Sequence, residues 1–113
     1  MARVILIGDV GGHADHLRAA LEGAGAYPRV PDDATVIQVG DLVDRGPGSP
    51  GVLELVDIYL NEQPERWVQL LGNHDAQYLP GRSMFYRPSI AGTQVEMLRS
   101  FRMGIAAAVT AHP

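Results

Sequence analysis

Three oxygen-bearing side chains follow glycines at one regular interval along the chain. The dipeptides are Gly8-Asp9, Gly40-Asp41 and Gly72-Asn73, and 32 residues separate each from the next. Carboxylate and amide oxygens are the ligands that hard divalent cations such as Mn²⁺ and Mg²⁺ favour, and imidazole joins them for transition metals. Two such ions about 4 Å apart can bind a phosphate and activate a water as nucleophile. These residue types indicate phosphate chemistry at a pair of metal ions.

Short apolar runs precede these side chains and predict strands. The runs are Val4–Ile7, Thr35–Val39 and Trp67–Leu71. Continuous apolar runs rich in β-branched residues are typical of strands buried on both faces of a parallel sheet. The interval is about the length of one βαβ unit, and consecutive right-handed units lay their strands parallel. The carboxyl ends then share one edge of the sheet, where open α/β sheets bind ligands, and Asp41 would lie between Asp9 and Asn73.

Helical patterns fill the intervals between the strands. Apolar residues recur at helical spacing in both intervals, at Leu17, Ala20, Leu21 and Ala24 and at Val52, Leu55, Val56 and Tyr59. Ser49 is expected to cap the second helix, with Pro50 at its first position.

The remainder of the chain predicts further elements. Residues 75–79 indicate a short helix, residues 82–92 a loop and residues 105–110 a fourth strand. Thr93–Glu96 matches a capping box that opens a helix. The inner face of that helix would hold Val95, Leu98 and either Phe101 or Arg102.

Composition excludes several classes of protein. The 113 residues allow one domain at most, and a net charge of -4 argues against specific nucleic-acid binding. All nine basic residues are arginine, which excludes a Walker-type phosphate loop because that loop needs a lysine. The chain has no cysteine, so disulfides, thiolate zinc sites and cysteine nucleophiles are excluded. The apolar run after Arg3 is too short for a signal or membrane-spanning segment, and a cytoplasmic protein is expected.

Two segments resemble the signature motifs of an enzyme family. Gly40–Pro47 reads GDLVDRGP and Gly72–Asp75 reads GNHD, and both are similar to motifs of the calcineurin-like metallophosphoesterases. The likeness is greatest to the branch that holds serine/threonine phosphoprotein phosphatases and bis(5'-nucleosyl)-tetraphosphatases, and Gly8-Asp9 resembles the first motif. The resemblance implies an α/β fold, the parallel βαβαβ half of an αββα sandwich whose second half is absent. Residues 1–113 would then form a single, incomplete domain.

The resemblance implies a metal-binding set. Asp41 would bridge two divalent ions, Asp9 would bind the first and Asn73 the second. Mn²⁺ is the expected metal, with Fe, Zn, Mg or Ni as alternatives. Gly11 stands where the family has a second histidine ligand for the first metal. His13 is expected to bind in its place, and the alternative is that His13 is simply exposed at the start of a helix.

The resemblance also implies catalytic roles. His74 would donate a proton to the leaving alkoxide, and Asp44 would accept a hydrogen bond from His74 and fix its tautomer. Arg45 would bind phosphate oxygens through its planar guanidinium, together with Asn73. The structural alternatives are a surface pair between Arg45 and Asp44 and a purely structural His74.

The implied function is hydrolysis of phosphate mono- or diesters or anhydrides by water activated at two metals, with residues beyond this chain required. The substrate, a phosphoprotein, a dinucleoside polyphosphate or a small phosphoester, stays open. The alternative is a non-catalytic or degenerate metal-binding or interaction module. It is motivated by Gly11 and by the family's later histidines, for which only His112 remains and fits no motif.

Two further expectations concern surfaces. Half of a sandwich would leave one sheet face uncovered, which predicts an exposed apolar patch and self-association. Phe85 and Tyr86 are expected to anchor their loop over the core rather than to face a substrate, and His16 is expected to be solvated.

Overall fold

The structure, a computed structural model, describes residues 2–104 and shows an α/β fold built on one parallel sheet. The strands lie side by side in chain order as β1 (Arg3–Ile7), β2 (Ala34–Gln38), β3 (Trp67–Leu70) and β4 (Met103–Gly104). The helices are α1 (Ala14–Gly23), α2 (Ser49–Glu62), α3 (Asn73–Ala76) and α4 (Thr93–Ser100), with a short 3-10 helix at Pro64–Arg66. The predicted parallel βαβαβ order is confirmed.

One face of the sheet carries the core. Ile5 pairs with Val36, and Val36 pairs with Trp67, so that alternate residues of three strands point to one side. These residues are buried in one apolar cluster with Leu17 of α1 and Val52 of α2. Helices α1 and α2 therefore bring their apolar stripes to the same face of the sheet.

The opposite face of the sheet is open to solvent. Val4 and Leu6 of β1 are 62% and 70% exposed, and Val68 of β3 is 42% exposed. The expectation that the strands are buried on both faces is therefore wrong for residues 2–104, because the helices of this segment pack against the other face. The predicted exposed apolar patch is confirmed, whereas self-association stays a prediction.

Two predicted helix caps are wrong, although both helices form. The N-cap of α2 is Gly48, and Ser49 is already the first helical residue, with proline in the first turn as predicted. The N-cap of α4 is Gly92, without a side-chain capping bond from Thr93. In the first case the reason is physical: the Ser49 hydroxyl accepts a hydrogen bond from the Asp44 amide instead of capping its own helix.

The C-terminal elements differ from the predictions in their limits. Helix α3 begins at Asn73, two residues before the predicted start. On the inner side of α4, Phe101 is buried and Arg102 is exposed, which decides between the two predicted alternatives. The strand predicted over 105–110 lies outside the described residues, but β4 pairs Met103 with Gln69 of β3. No helix within residues 2–104 is long and apolar enough to cross a membrane.

Candidate active site and metal centre

The carboxyl ends of β1 and β2 are tied together by a buried glutamine. The Gln38 side-chain amide donates to the carbonyls of Gly8 and Gly40, at 2.9 Å each, and its oxygen accepts from the Gly40 amide at 2.7 Å. Gln38 is fully buried, and these bonds satisfy it there. They place the residues that follow the two glycines, Asp9 and Asp41, on adjacent strand ends.

The ends of β2 and β3 approach so closely that both need glycine. A Cβ added at Gly40 would overlap the backbone of Gly72, and a Cβ added at Gly72 would overlap the amide and carboxylate of Asp41. Gly40 also has a φ of 100°, a conformation that favours glycine. A Cβ at Gly8, in contrast, would meet nothing within 4 Å. The two motif glycines thus allow Asp41 and Asn73 to lie next to each other.

Hydrogen bonds of Asp41 join three loops at this edge. The first loop begins at Gly8 after β1, the second at Gly40 after β2 and the third at Gly72 after β3. The carbonyl of Asp41 accepts from the amides of Val10 and Gly11, at 3.2 and 2.8 Å. Its carboxylate Oδ1 accepts from the amide of His74 at 2.9 Å. Asp41 thus contacts the first loop through its backbone and the third through its side chain. Asp9 and Asn73 are exposed and Asp41 is half-buried, so this rim of oxygen ligands faces solvent.

Asp75 holds the second and third loops together. Its Oδ2 accepts from the amides of Asp41 and Gly72, at 2.8 and 3.1 Å, and its Oδ1 accepts from Leu42 at 2.8 Å. The residue is fully buried, and burial raises the pKa of its carboxyl from 3.8 to about 6, against the lowering effect of the three amides. The nearby Asp41 carboxylate raises this pKa further. Asp75 was not predicted as a site residue, although it stands inside the third motif.

A buried carboxylate orients the histidine of the third motif. Asp44 is fully buried, and its Oδ2 lies 2.8 Å from Nδ1 of His74, itself 6% exposed. Asp44 and Arg45 both adopt positive φ, 74° and 71°, which is uncommon for residues other than glycine. The Gly46 amide stabilises this turn by donating to the carbonyls of Asp44 and Gly11. Both strained residues are candidate catalytic residues. At this turn the Asp44 side chain is buried, whereas the Arg45 side chain is exposed.

Three further donors satisfy the Asp44 carboxylate. Gln77 Nε2 donates to Oδ2 at 2.7 Å, and the hydroxyls of Tyr78 and Ser89 each donate to Oδ1 at 2.6 Å. The Tyr78 hydroxyl also accepts from the Ser89 amide at 2.9 Å. Burial raises the pKa of Tyr78, as does its bond to Asp44. With His74 as the fourth donor, a buried negative charge has the full set of hydrogen bonds that its burial requires.

The outer side of the His74 ring contacts an arginine and two aromatic residues. Arg45 Nη2 lies 3.3 Å from Nε2 of His74. Because a guanidinium can only donate, Nε2 is the acceptor and the Nδ1 proton points to Asp44. Phe85 and Tyr86 approach the ring with centroid distances of 5.1 and 4.9 Å. Phe85 is 62% exposed, so the expectation that it anchors its loop over the core is wrong.

Two open cavities are lined by the aromatic residues that contact this histidine. One, of about 340 Å³, is lined by Asn73, Arg82 and Phe85 among others. The second, of about 400 Å³, is lined by Arg45, Tyr86 and Arg87 among others. Each cavity therefore combines an aromatic ring with at least one arginine.

His13 lies in a group of its own. Its ligand atoms and those of Asp15 and His16 are within 4.8 Å of one another, the single three-residue group of this kind in residues 2–104. Gly11, where a family histidine would stand, has a φ of 53°, and a Cβ there would be 3.7 Å from the Asp44 carbonyl. The position has space for a side chain but a backbone that disfavours one. His16 is exposed, as expected.

The sequence of this chain matches the model of a known family. The family model for calcineurin-like phosphoesterase covers residues 2–104. The chain belongs to this family. The resemblance inferred from the motifs is therefore confirmed. The relatives described next are phosphatase hydrolases of this family.

Individual relatives are longer than this chain. It is 45% identical over 75 residues to the symmetrical bis(5'-nucleosyl)-tetraphosphatase of Salmonella paratyphi A, across 66% of this chain and 24% of that one. A crystal structure of a protein provisionally described as a diadenosine tetraphosphatase matches 94% of this chain and 46% of the other, with 29% identity and a TM-score of 0.60. A protein serine/threonine phosphatase from Saccharomyces cerevisiae, described as similar to human PP5, has a TM-score of 0.59 at 24% identity, across 66% of this chain and 22% of that one. The chain spans about a quarter of the curated relative that it matches.

The candidate site contains residues that the motifs alone did not indicate. Gln38, Gln77, Tyr78 and Ser89 were not predicted. Their partners lie up to 45 residues away, and only the buried position of a polar side chain could have signalled them. Gln38 offered such a signal, since it is the one amide side chain in the strand sequence ATVIQ of β2.

Proposed function

We propose that this chain provides the metal-binding rim and the proton donor of a metal-dependent phosphoesterase that hydrolyses phosphate mono- or diesters or anhydrides. One observation carries the proposal. The His74 amide bonds the Asp41 carboxylate, while the His74 ring bonds the buried Asp44. A single residue thus links the rim of oxygen ligands to a histidine whose orientation is held from within the protein.

The carboxylate and amide oxygens of the rim are suited to divalent cations. Asp9 and Asn73 are exposed, and Asp41 has one carboxylate oxygen bonded to an amide and another left for a ligand. In the proposal Asp41 would be shared by two ions, Asp9 would hold the first and Asn73 the second. When bound, such a pair supplies an activated water and neutralises charge on phosphate. Mn²⁺ is the proposed metal, because oxygen ligands dominate the set.

His74 and Arg45 act on the substrate in this proposal. In the structure Arg45 donates to Nε2, so that nitrogen carries no proton. Once Arg45 turns to phosphate oxygens, together with Asn73, Nε2 can hold a proton and deliver it to the leaving oxygen. Asp44 fixes the Nδ1 proton and stabilises the charged ring. Movement of Arg45 from His74 to phosphate would therefore couple substrate binding to protonation of Nε2 of His74.

The proposed substrate is a phosphorylated compound with several negative charges. One of the two cavities is lined by Arg82, and the other is lined by Arg45 and Arg87. Arginine forks bind phosphate oxygens in pairs. Because the tetraphosphatase of Salmonella is 45% identical over its matched part, a dinucleoside polyphosphate is the first candidate, ahead of a phosphoprotein or a small phosphoester.

Turnover is proposed to need protein beyond these residues. Asp9, Asp41 and Asn73 provide three ligand side chains for two ions, and Gly11 provides none. His13 as a replacement ligand stays a prediction. The open sheet face around Leu6 and Val68 is proposed to be covered by further protein or by self-association. A cytoplasmic location also stays a prediction, which cell fractionation would test.

A comparison of two leaving groups tests whether His74 is the general acid. In a longer, active chain that contains these residues, we expect His74→Asn to lower hydrolysis of an alkyl phosphate by about 100-fold or more, and that of p-nitrophenyl phosphate far less, because nitrophenolate leaves without a proton. Asp41→Asn should abolish both reactions, and Asp57→Asn, on the surface of α2, should leave both unchanged. Diadenosine tetraphosphate, assayed with Mn²⁺, tests the substrate.

The outcomes separate the possible roles. Equal losses for both leaving groups would reject His74 as the acid, and full activity of Asp41→Asn would reject the metal rim. If the 113-residue chain binds Mn²⁺ but turns over nothing, while a longer chain that contains it is active, the need for further residues is established. If neither turns over any phosphoester, the alternative of a non-catalytic metal-binding module is correct.

A further inference from the structure

We propose that His13, Asp15 and His16 form a separate site for a single transition-metal ion of the Zn²⁺ type. Their ligand atoms lie within 4.8 Å of one another, although nothing in the phosphoesterase chemistry proposed above uses Asp15 or His16. The site would be additional to the rim of Asp9, Asp41 and Asn73, and it does not depend on that rim being catalytic.

The start of α1 brings the three residues together. His13 is the N-cap of the helix, and Asp15 and His16 lie in its first turn. The His13 amide donates to the Val10 carbonyl at 3.1 Å, which fixes the turn before the helix. The imidazole rings of His13 and His16 are stacked, with centroids 4.8 Å apart and planes 20° from parallel. Residues three apart on a helix share a face, as His13 and His16 do. The Asp15 carboxylate reaches the same group from the position beside His16.

The donor set selects the metal. Two imidazole nitrogens and one carboxylate oxygen are typical zinc ligands, and water can complete a tetrahedral site. Ligand atoms of a tetrahedral zinc ion are about 3.3 Å apart, so the longest separation among the three side chains, at most 4.8 Å, must shorten by up to about 1.5 Å. Asp15 and His16 are exposed and can rotate to do so. The N-terminus of a helix disfavours a cation, and the Asp15 carboxylate offsets that effect.

The surroundings of His13 connect this site to the second motif loop. A Cβ added at Gly46 would lie 2.8 Å from Cε1 of His13, so the ring packs against the residue that follows Arg45. The Gly46 amide also bonds the Gly11 carbonyl at 2.8 Å. An ion that holds the His13 ring would therefore also restrict the turn that presents Arg45.

Calorimetric titration with Zn²⁺ alone tests the site in an Asp41→Asn background, where the rim is disabled. Asn tolerates the φ of 54° at this position and keeps a side-chain oxygen for the His74 amide, so the loops should retain their structure. We expect one equivalent of Zn²⁺ to bind. His16→Gln and Asp15→Asn should each weaken that binding by about tenfold or more. Glu54→Gln, which removes an exposed carboxylate of α2, is the matched control and should change nothing.

Three results would overturn the proposal. The first is no Zn²⁺ binding in the Asp41→Asn chain. The second is binding that His16→Gln and Asp15→Asn leave unchanged. The third is binding that His13→Gln leaves unchanged, because the proposal makes His13 a ligand. Circular dichroism of each variant shows that it is folded, as expected because Asp15 and His16 are both exposed.

Discussion

Replacement of Tyr78 by phenylalanine measures what the buried network around Asp44 contributes. The Tyr78 hydroxyl donates to Asp44 Oδ1 at 2.6 Å and accepts from the Ser89 amide at 2.9 Å, and the side chain is 4% exposed. A hydrogen bond to a charged group contributes about 1.5–3 kcal/mol and a neutral one about 0.5–1.5 kcal/mol. Tyr78→Phe should therefore lower the free energy of unfolding by about 2–4.5 kcal/mol.

Tyr59→Phe is a matched control in the same fold. Tyr59 is 1% exposed, and its hydroxyl makes a single neutral bond, to the Ala26 carbonyl at 2.6 Å. The expected loss is about 1 kcal/mol. Burial raises the pKa of both phenols, that of Tyr59 to about 12, so both are neutral at pH 7 and the comparison is of hydrogen bonds alone.

Urea denaturation of the two variants at pH 7 decides the matter. The midpoint of Tyr78→Phe should fall at least twice as far as that of Tyr59→Phe. In a domain of this size each kcal/mol also lowers the melting temperature by about 4–8 °C. Equal losses in the two variants would refute the reasoning, because Asp44 would then not depend on the Tyr78 hydroxyl. A changed NMR signal of the His74 ring in Tyr78→Phe only would show that the network positions the histidine.

Three other predictions concern the rim, the open face and the buried acid. Gly72→Ala should cost about 3 kcal/mol or more in urea denaturation, because a Cβ overlaps the neighbouring loop, whereas Gly8→Ala, with open space around it, should cost little. Leu6→Lys, on the open face, should reduce light scattering from the purified chain without lowering its stability. Ile7→Lys, on the buried face, should unfold the chain. Unchanged scattering for Leu6→Lys would argue against association through the open face. In chelator-treated protein, Asp75 takes up a proton more readily when folded, since burial raises its pKa from 3.8 to about 6. Its contribution to stability is then greatest below about pH 4 and falls by about 3 kcal/mol as the pH rises to 6; the same pH profile in Asp75→Asn would contradict this.

The order of the strands could be predicted from sequence because the fold repeats a local unit. Each strand is followed by a glycine and a polar residue after the same interval, and right-handed βαβ units leave little freedom in how such strands pair. The family followed from the motifs at Gly40–Pro47 and Gly72–Asp75. The metal and catalytic roles of the motif residues stay predictions.

The burial of the strands could not be predicted in the same way. Val4 and Leu6 are as apolar as Ile5 and Ile7, and an apolar run does not say which face is covered within this chain. The cap at Ser49 was wrong because a long-range partner, the Asp44 amide, competes for its hydroxyl. Local patterns contain no information about such partners.

The same limit applies to the residues that support the site. Asp75 bonds amides more than 30 residues away, and Ser89 reaches Asp44 across 45 residues of chain. Neither pair of residues has a sequence separation that is typical of a helix, strand or turn, so no local pattern indicates the contact. The motifs therefore identify the residues that face a ligand, whereas the residues that hold them in place become visible only in the folded structure.

Electron paramagnetic resonance of Mn²⁺ bound to the 113-residue chain tests the proposed two-metal rim most directly. Two ions bridged by Asp41 would be about 4 Å apart and would give an exchange-coupled spectrum. We expect that spectrum at two equivalents of Mn²⁺, its loss in Asp41→Asn and its persistence in His16→Gln. An uncoupled spectrum of isolated Mn²⁺ at every ratio, or no difference between the wild-type chain and Asp41→Asn, would contradict the account.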